Sequence, residues 1–157
     1  MTYEEAAVVP VGVTQVLYYL RKAAIQQEER GLINSAGGSI GTYAVQLARY
    51  YGAEVTAVDS AAKLDMLRSL GADHVIDYTR EDFSENGQTY DVIFDISGKS
   101  PFSRSLASLS KTGATFSDIS LAFSLKPRTT RAKLPTSAGQ CRAPEPTLRR
   151  WQTAAPQ

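Results

Sequence analysis

The run Ala36-Gly37-Gly38-Ser39-Ile40-Gly41 has the residue types of an anion-binding turn. Such a turn needs backbone N–H groups aimed at the anion, no side chain where a pyrophosphate approaches, and a helix N-terminus behind it. Gly38 is the expected close-approach position, and Gly41 the position that lets the following helix pack on the preceding strand. Ala36 stands in place of the first glycine of G-x-G-x-x-G. A glycine match alone is weak, so the context decides. The run follows the apolar pair Leu32-Ile33 and opens a segment with Ala44, Val45, Leu47 and Ala48 at helical spacing. Asp59 comes 18 residues after Gly41, at the end of the next expected strand. All six turn residues are therefore expected to hold a dinucleotide.

Asp59 alone favours NAD(H), because an acid there accepts hydrogen bonds from both ribose hydroxyls and repels a 2′-phosphate. Three neighbours pull the other way. Lys63 can neutralise a phosphate, Ser60 can donate to it, and Tyr78 at the end of the third expected strand can add a hydroxyl. Ser97 and Gly98 follow the fourth expected strand at its carboxyl end, where ligands bind in open parallel sheets, and are expected to line the nicotinamide side.

Several residues resemble chemistry that they do not support. Tyr18 and Lys22 form a Y-x-x-x-K pair, but it lies upstream of the glycine turn and on the wrong side for a short-chain dehydrogenase. His74 is the sole histidine and heads an expected buried strand, so a satisfied structural imidazole is the reading; no Ser/His/Asp or Cys/His set assembles around it. One cysteine, Cys141, can form neither an internal disulfide nor a cysteine-rich zinc site.

The elements that must position these residues follow from periodicity. Val11 to Ile25 puts Val13, Val16, Leu17, Leu20 and Ala24 on one helical face. Strands are expected at Leu32-Ile33, Glu54–Val58, His74–Asp77 and Asp91–Asp95, with a fifth starting at Ala114. Helices are expected after the glycine turn up to a cap at Gly52, from Ser60 to a cap at Gly71, from Thr79 through Phe83, and from Pro101 to Gly113, with a turn at Asn86-Gly87. Strands alternating with helices give an α/β fold, a Rossmann-type doubly wound parallel sheet, incomplete at its C-terminal edge.

Hydrophobic residues make up 43% of the 157 and charged residues 21%, ordinary globular usage that excludes a wholly disordered or collagen-like chain. The net charge of +1 conceals an asymmetry: residues 1–116 carry 10 Lys/Arg against 14 Asp/Glu, and residues 117–157 carry 7 against 2. Five of the seven prolines lie in that basic end. The expected organisation is a linking helix region over 1–27, a dinucleotide-binding domain over 28–118, and a disordered, dispensable Pro/Arg-rich tail over 119–157. The tail's arginines are scattered and lack aromatic interleaving, so no nucleic-acid partner is expected. The longest uncharged stretch, Gly31 to Ala48, is too polar to span a bilayer, and no secretory signal is visible. The expected compartment is the cytoplasm, with no membrane partner.

Three runs carry a family resemblance: Met1-Thr2-Tyr3-Glu4-Glu5-Ala6-Ala7, Gly41-Thr42-Tyr43-Ala44-Val45-Gln46-Leu47-Ala48, and Leu70-Gly71-Ala72-Asp73-His74-Val75-Ile76-Asp77-Tyr78. Residues 1–116 resemble the quinone oxidoreductase branch (zeta-crystallin-like) of the medium-chain dehydrogenase/reductase superfamily. The resemblance implies a zinc-independent oxidoreductase that moves hydride from NADPH to a quinone or enone, with Lys63 and Tyr78, 15 residues apart, on the 2′-phosphate. It tips the cofactor expectation to NADP(H), with NAD(H) as the alternative, and is compatible with a homodimer. The family's catalytic domain precedes this segment, so the chain reads as a nucleotide-binding fragment, inactive by itself. Other readings are a remnant that folds and binds a dinucleotide without turnover, and a methyltransferase-like domain. Gly31, where the family carries an aliphatic residue, is expected to weaken the first strand modestly.

Overall fold

Short β-branched and apolar runs punctuated by glycine dictate an alternation of strand and helix, and the chain follows it except between the third and fourth strands. The computed structural model describes residues 2–98, 100–117 and 128–131. In order these form α1 (Tyr3–Ala23), β1 (Arg30–Asn34), α2 (Ser39–Tyr50), β2 (Glu54–Asp59), a 3₁₀ turn (Ala61–Lys63), α3 (Leu64–Ser69), β3 (His74–Asp77), β4 (Tyr90–Asp95), α4 (Phe102–Ala107), β5 (Leu109–Ser117) and β6 (Arg128–Arg131). The sheet order is β3-β2-β1-β4-β5-β6. The first five strands are parallel, and β6 lies antiparallel to β5.

Both faces of β1 are covered, which is why its apolar residues run consecutively rather than alternating with polar ones. Ile33, Val92 and Phe94 join Val16, Tyr19, Leu20, Val45 and Leu67 under α1, α2 and α3. Leu32 and Ile93 point the other way, onto Val58, Ile76, Phe83 and Tyr90. Each such side chain, fully buried, contributes about 1.5–3 kcal/mol. Phe94 and Phe116 stack with centroids 5.4 Å apart, and Tyr19 meets Phe116 edge-on at 5.4 Å, tying α1 to the β4–β5 half of the sheet. Chain order runs outward from β1 through β2 to β3, then from β4 to β5 in the opposite direction. Right-handed crossovers then place α4 on the face opposite α2 and α3.

Two of the glycines expected to end helices do so. Gly52 and Gly71 adopt φ of +84° and +103°, and their N–H groups donate back to Arg49 O at 2.9 Å and Arg68 O at 3.0 Å respectively. Other boundaries move. α1 starts at Tyr3 rather than Val11, and Tyr19 replaces Ala24 on its core face. Ala24 lies beyond the helix end with φ 54°, in the left-handed conformation usual for glycine there.

No helix forms at Thr79–Phe83. Asp77 accepts from the Thr79 N–H at 3.0 Å and Asp82 from the Ser84 N–H at 2.9 Å, so side-chain acceptors satisfy this backbone locally and compete with a helix. Gly113 ends no helix either, since α4 stops at Ala107 and Gly113 lies inside β5. A Cβ there would stand 2.7 Å from Asp91 O, so glycine permits β5 to approach β4 at an irregularity in their pairing. The expected disordered tail falls mostly outside the described residues. Within it, however, Arg128–Arg131 form β6, paired Ser117↔Arg128 through Ala114↔Arg131, because β5 offers an open row of backbone donors and acceptors.

Candidate functional site

β1 hands the chain to α2 through a four-residue turn, Ser35–Gly38. Asn34 O accepts the Ile96 N–H at 3.2 Å and the Ala36 N–H donates to Val58 O at 3.1 Å, which ties the backbone on either side of Ser35 to β4 and β2. Ser35 makes the turn with φ 64°. Its hydroxyl donates to Ser97 Oγ at 2.8 Å, and the Asn34 side-chain amide donates to Asp95 Oδ1 and Ser100 Oγ, both at 3.0 Å. The turn after β1 and the loop after β4 are thereby joined where the strand order reverses, the place where open parallel sheets bind ligands.

The three glycines have separate reasons to be glycine. A Cβ on Gly41 would lie 2.4 Å from Ala36 O, so the helix could not pack on the turn. At Gly37 a Cβ would strike the Lys63 stem and stand 2.9 Å from Asp59 Oδ2. Gly38 differs: its φ is −92°, accessible to any residue, and the nearest atom to an added Cβ is Ser35 O at an ordinary 3.7 Å. Nothing among the described residues demands glycine at 38, and the room beside it suits the backbone approach of a bulky anion. Gly38 also caps α2, whose first turn has neither a side-chain cap nor an acidic residue. No side chain of that first turn offsets the partial positive charge of the helix end.

Asp59 is 7% exposed at the end of β2. Its Oδ2 accepts the Gly37 N–H at 2.7 Å and its Oδ1 the Ser60 N–H at 2.8 Å, while Lys63 Nζ stands 3.6 Å from Oδ1. Asp59 thus fastens the glycine turn to β2.

These residues surround a cleft of about 630 Å³ along the carboxyl ends of the strands. Of the sequence-derived candidates, Gly38, Asp59, Ser60, Lys63, Tyr78 and Ser97 line it. Ala36, Gly37, Ser39, Ile40, Gly41 and Gly98 do not; Ala36 and Gly41 are buried behind the turn, Ile40 packs against the core, and the Gly98 N–H donates to Asp95 Oδ1 at 3.1 Å. Sequence reasoning missed Asn34, Ser35, Asp82 and Arg104 on the same wall. Asn34 and Ser35 had a signal, since polar residues closing a buried strand must find partners; the Asp82–Arg104 ion pair at 2.6 Å spans 22 residues and leaves no periodicity to read. Hydrogen bonds from the Ser84 hydroxyl and N–H, aided by Arg104, hold the Asp82 carboxyl below its usual range, and the Thr79 N–H and hydroxyl do the same for Asp77. His74 is not buried as expected: it heads β3 with its side chain exposed, because β3 is the edge strand of the sheet, and its Nε2 stands 2.9 Å from Glu54 Oε1, away from the cleft. Lys22 Nζ stands 5.8 Å from the centre of the Tyr18 ring, a contact confined to α1 and also away from the cleft.

A doubly wound sheet with a glycine turn and a helix N-terminus opening onto a cleft at the switch point defines a nucleotide-binding domain of the dehydrogenase type. Residues 39–120 match the zinc-binding dehydrogenase family, and the chain belongs to it, as a quinone oxidoreductase-like member of the medium-chain dehydrogenase/reductase superfamily. It is 36% identical over 101 residues to 2-methylene-furan-3-one reductase of Solanum lycopersicum, covering 63% of this chain and 26% of that protein. It is 35% identical over 119 residues to the chloroplast envelope quinone oxidoreductase homolog of Arabidopsis thaliana, covering 69% and 36%. The solved quinone oxidoreductase of Thermus thermophilus, whose complex with NADPH is also solved, superposes with a TM-score of 0.66 at 31% identity, over 72% of this chain and 39% of that one. The chain thus spans between about a quarter and two-fifths of these relatives.

Despite the family's name, among the described residues no group of three His, Cys, Asp or Glu could hold a metal ion, so these residues do not fit a zinc site. No helix among them is long and apolar enough to cross a membrane.

Proposed function

We propose that this domain binds NADPH in the cleft and presents it for hydride transfer to a quinone or enone. The observation that carries the cofactor choice is the engagement of Asp59. An NAD-selective acid must offer its oxygens to the ribose, whereas both Asp59 oxygens here accept backbone N–H groups, Gly37 at 2.7 Å and Ser60 at 2.8 Å. Lys63, with its side chain 46% exposed, and Tyr78, 61% exposed, remain at the cleft edge to receive a 2′-phosphate. Gly38 and the uncapped start of α2 would hold the pyrophosphate. Ser97 would orient the nicotinamide half from the β4 side. When bound, the nicotinamide supplies the hydride, and what the protein adds is orientation rather than acid–base catalysis. Two relatives support this acceptor class, one named for a quinone and one for a furanone carrying a conjugated exocyclic alkene.

Titrating the purified chain with NADPH and NADH tests this reading. NADPH should bind tighter, and Lys63→Ala should cut that preference by about tenfold, the order expected for one charge-assisted contact. Equal affinities for the two cofactors would overturn it.

A further inference from the structure

Ser35 is a non-glycine residue in the left-handed region, with φ 64°, between two backbone ties that leave it no freedom. That conformation disfavours any side chain with a Cβ, and serine is not among the residues that visit it routinely. What the serine adds over glycine is its hydroxyl, which donates to Ser97 Oγ at 2.8 Å across the gap between the turn after β1 and the loop after β4. Both serines line the cleft. Because Ser97 Oγ accepts from Ser35, the Ser97 hydrogen is directed to some other acceptor, and a hydroxyl that accepts one bond donates the next more strongly. Asn34 fixes the same loop through Ser100 and Asp95, so the pair sits in a frame that cannot swing.

We infer that Ser35 is a positioning residue for the dinucleotide. It holds the Ser97 hydroxyl as an oriented donor to an acceptor on the pyrophosphate-to-nicotinamide half of the bound cofactor. This rests on the proposed NADPH binding. It goes beyond it by assigning a role to a residue outside the glycine turn and by predicting that two hydroxyls act as one unit.

The test compares NADPH with adenosine 2′,5′-bisphosphate, which carries the 2′-phosphate but no nicotinamide half, across wild type, Ser35→Gly, Ser35→Ala, Ser97→Ala and the Ser35→Gly/Ser97→Ala double variant. Ser35→Gly and Ser97→Ala should each weaken NADPH by about fivefold, the order of one neutral hydrogen bond, and the double variant should be no weaker than Ser97→Ala. Affinity for the bisphosphate should be unchanged in all of them. Ser35→Gly removes the backbone strain, so it keeps the fold even where Ser35→Ala loses stability. Wild-type NADPH affinity in Ser35→Gly, additive losses in the double variant, or equal weakening of both ligands overturns the inference while leaving NADPH binding standing. Failure of the wild type to bind NADPH overturns both.

Discussion

At the scale of single residues, the ligand role proposed for Gly38 and the packing role of Gly41 lead to opposite expectations. Gly41→Ala drives a Cβ to 2.4 Å from Ala36 O, which is backbone and cannot rotate away. We expect a loss of about 1–3 kcal/mol, typical of overpacking, read as a lower midpoint in urea. Gly38→Ala meets only Ser35 O at 3.7 Å, so its stability should stay within about 1 kcal/mol of wild type while NADPH affinity falls by at least about tenfold. Melting and titration of the two variants side by side would expose a wrong assignment, because a Gly38 without a ligand role would leave NADPH affinity unchanged. The turn itself was legible in the sequence because its spacing is local. The inward orientation of Asp59 was not, because an acid at that position serves a ribose or its own loop equally well, and only the Gly37 N–H at 2.7 Å decides.

At the scale of elements, β1 and the connection between β3 and β4 carry testable consequences. Gly31 lies in β1 with its would-be Cβ 3.8 Å from Ile25 Cδ1 and 4.0 Å from Glu54 O, ordinary contacts both. Gly31→Ala should therefore stabilise the protein by about 0.4–1 kcal/mol, chiefly by restricting the unfolded chain, and calorimetry would show a raised melting temperature. In the β3–β4 connection, the Asp82 carboxyl is held below its ordinary value by Ser84 and Arg104. A depressed acid contributes stability above its unfolded value of about 3.9 and loses it as pH falls toward the folded value. Asp82→Asn should be less stable than wild type at about pH 6, with the gap closing below about pH 4; a gap independent of pH in urea titrations would assign the effect to packing. The same connection marks where sequence reading failed. The expected helix at Thr79–Phe83 gives way to two turns capped by Asp77 and Asp82, and residues of this kind support a helix start and a turn with equal ease. Strand and helix types elsewhere were readable because apolar periodicity and glycine caps agree. Boundaries such as the start of α1 were not, since the apolar stripe thins before Val11, where Ala6 and Val9 are only half-buried.

At the scale of the molecule, the parallel, doubly wound character of the sheet was legible in the alternation of elements, whereas β6 was not, because a Thr/Arg-rich segment has no pattern of its own and pairs only where a neighbour offers an edge. That pairing bears on how the protein behaves in concentrated solution. Ala114, Thr115 and Phe116 of β5 are all buried, and β6 runs alongside them through Arg128–Arg131. Stripped of this companion, β5 would become an unsatisfied, apolar template onto which a second molecule could add a strand. A chain ending at residue 120 should therefore retain its secondary structure but self-associate as concentration rises, seen as growing light scattering and earlier elution, while the 157-residue chain remains unchanged. Monodispersity of the shortened form across the same range would show that β5 needs no cover. Four residues of a basic segment, otherwise without an evident task, would then serve as the guard that keeps one molecule from extending the sheet of the next.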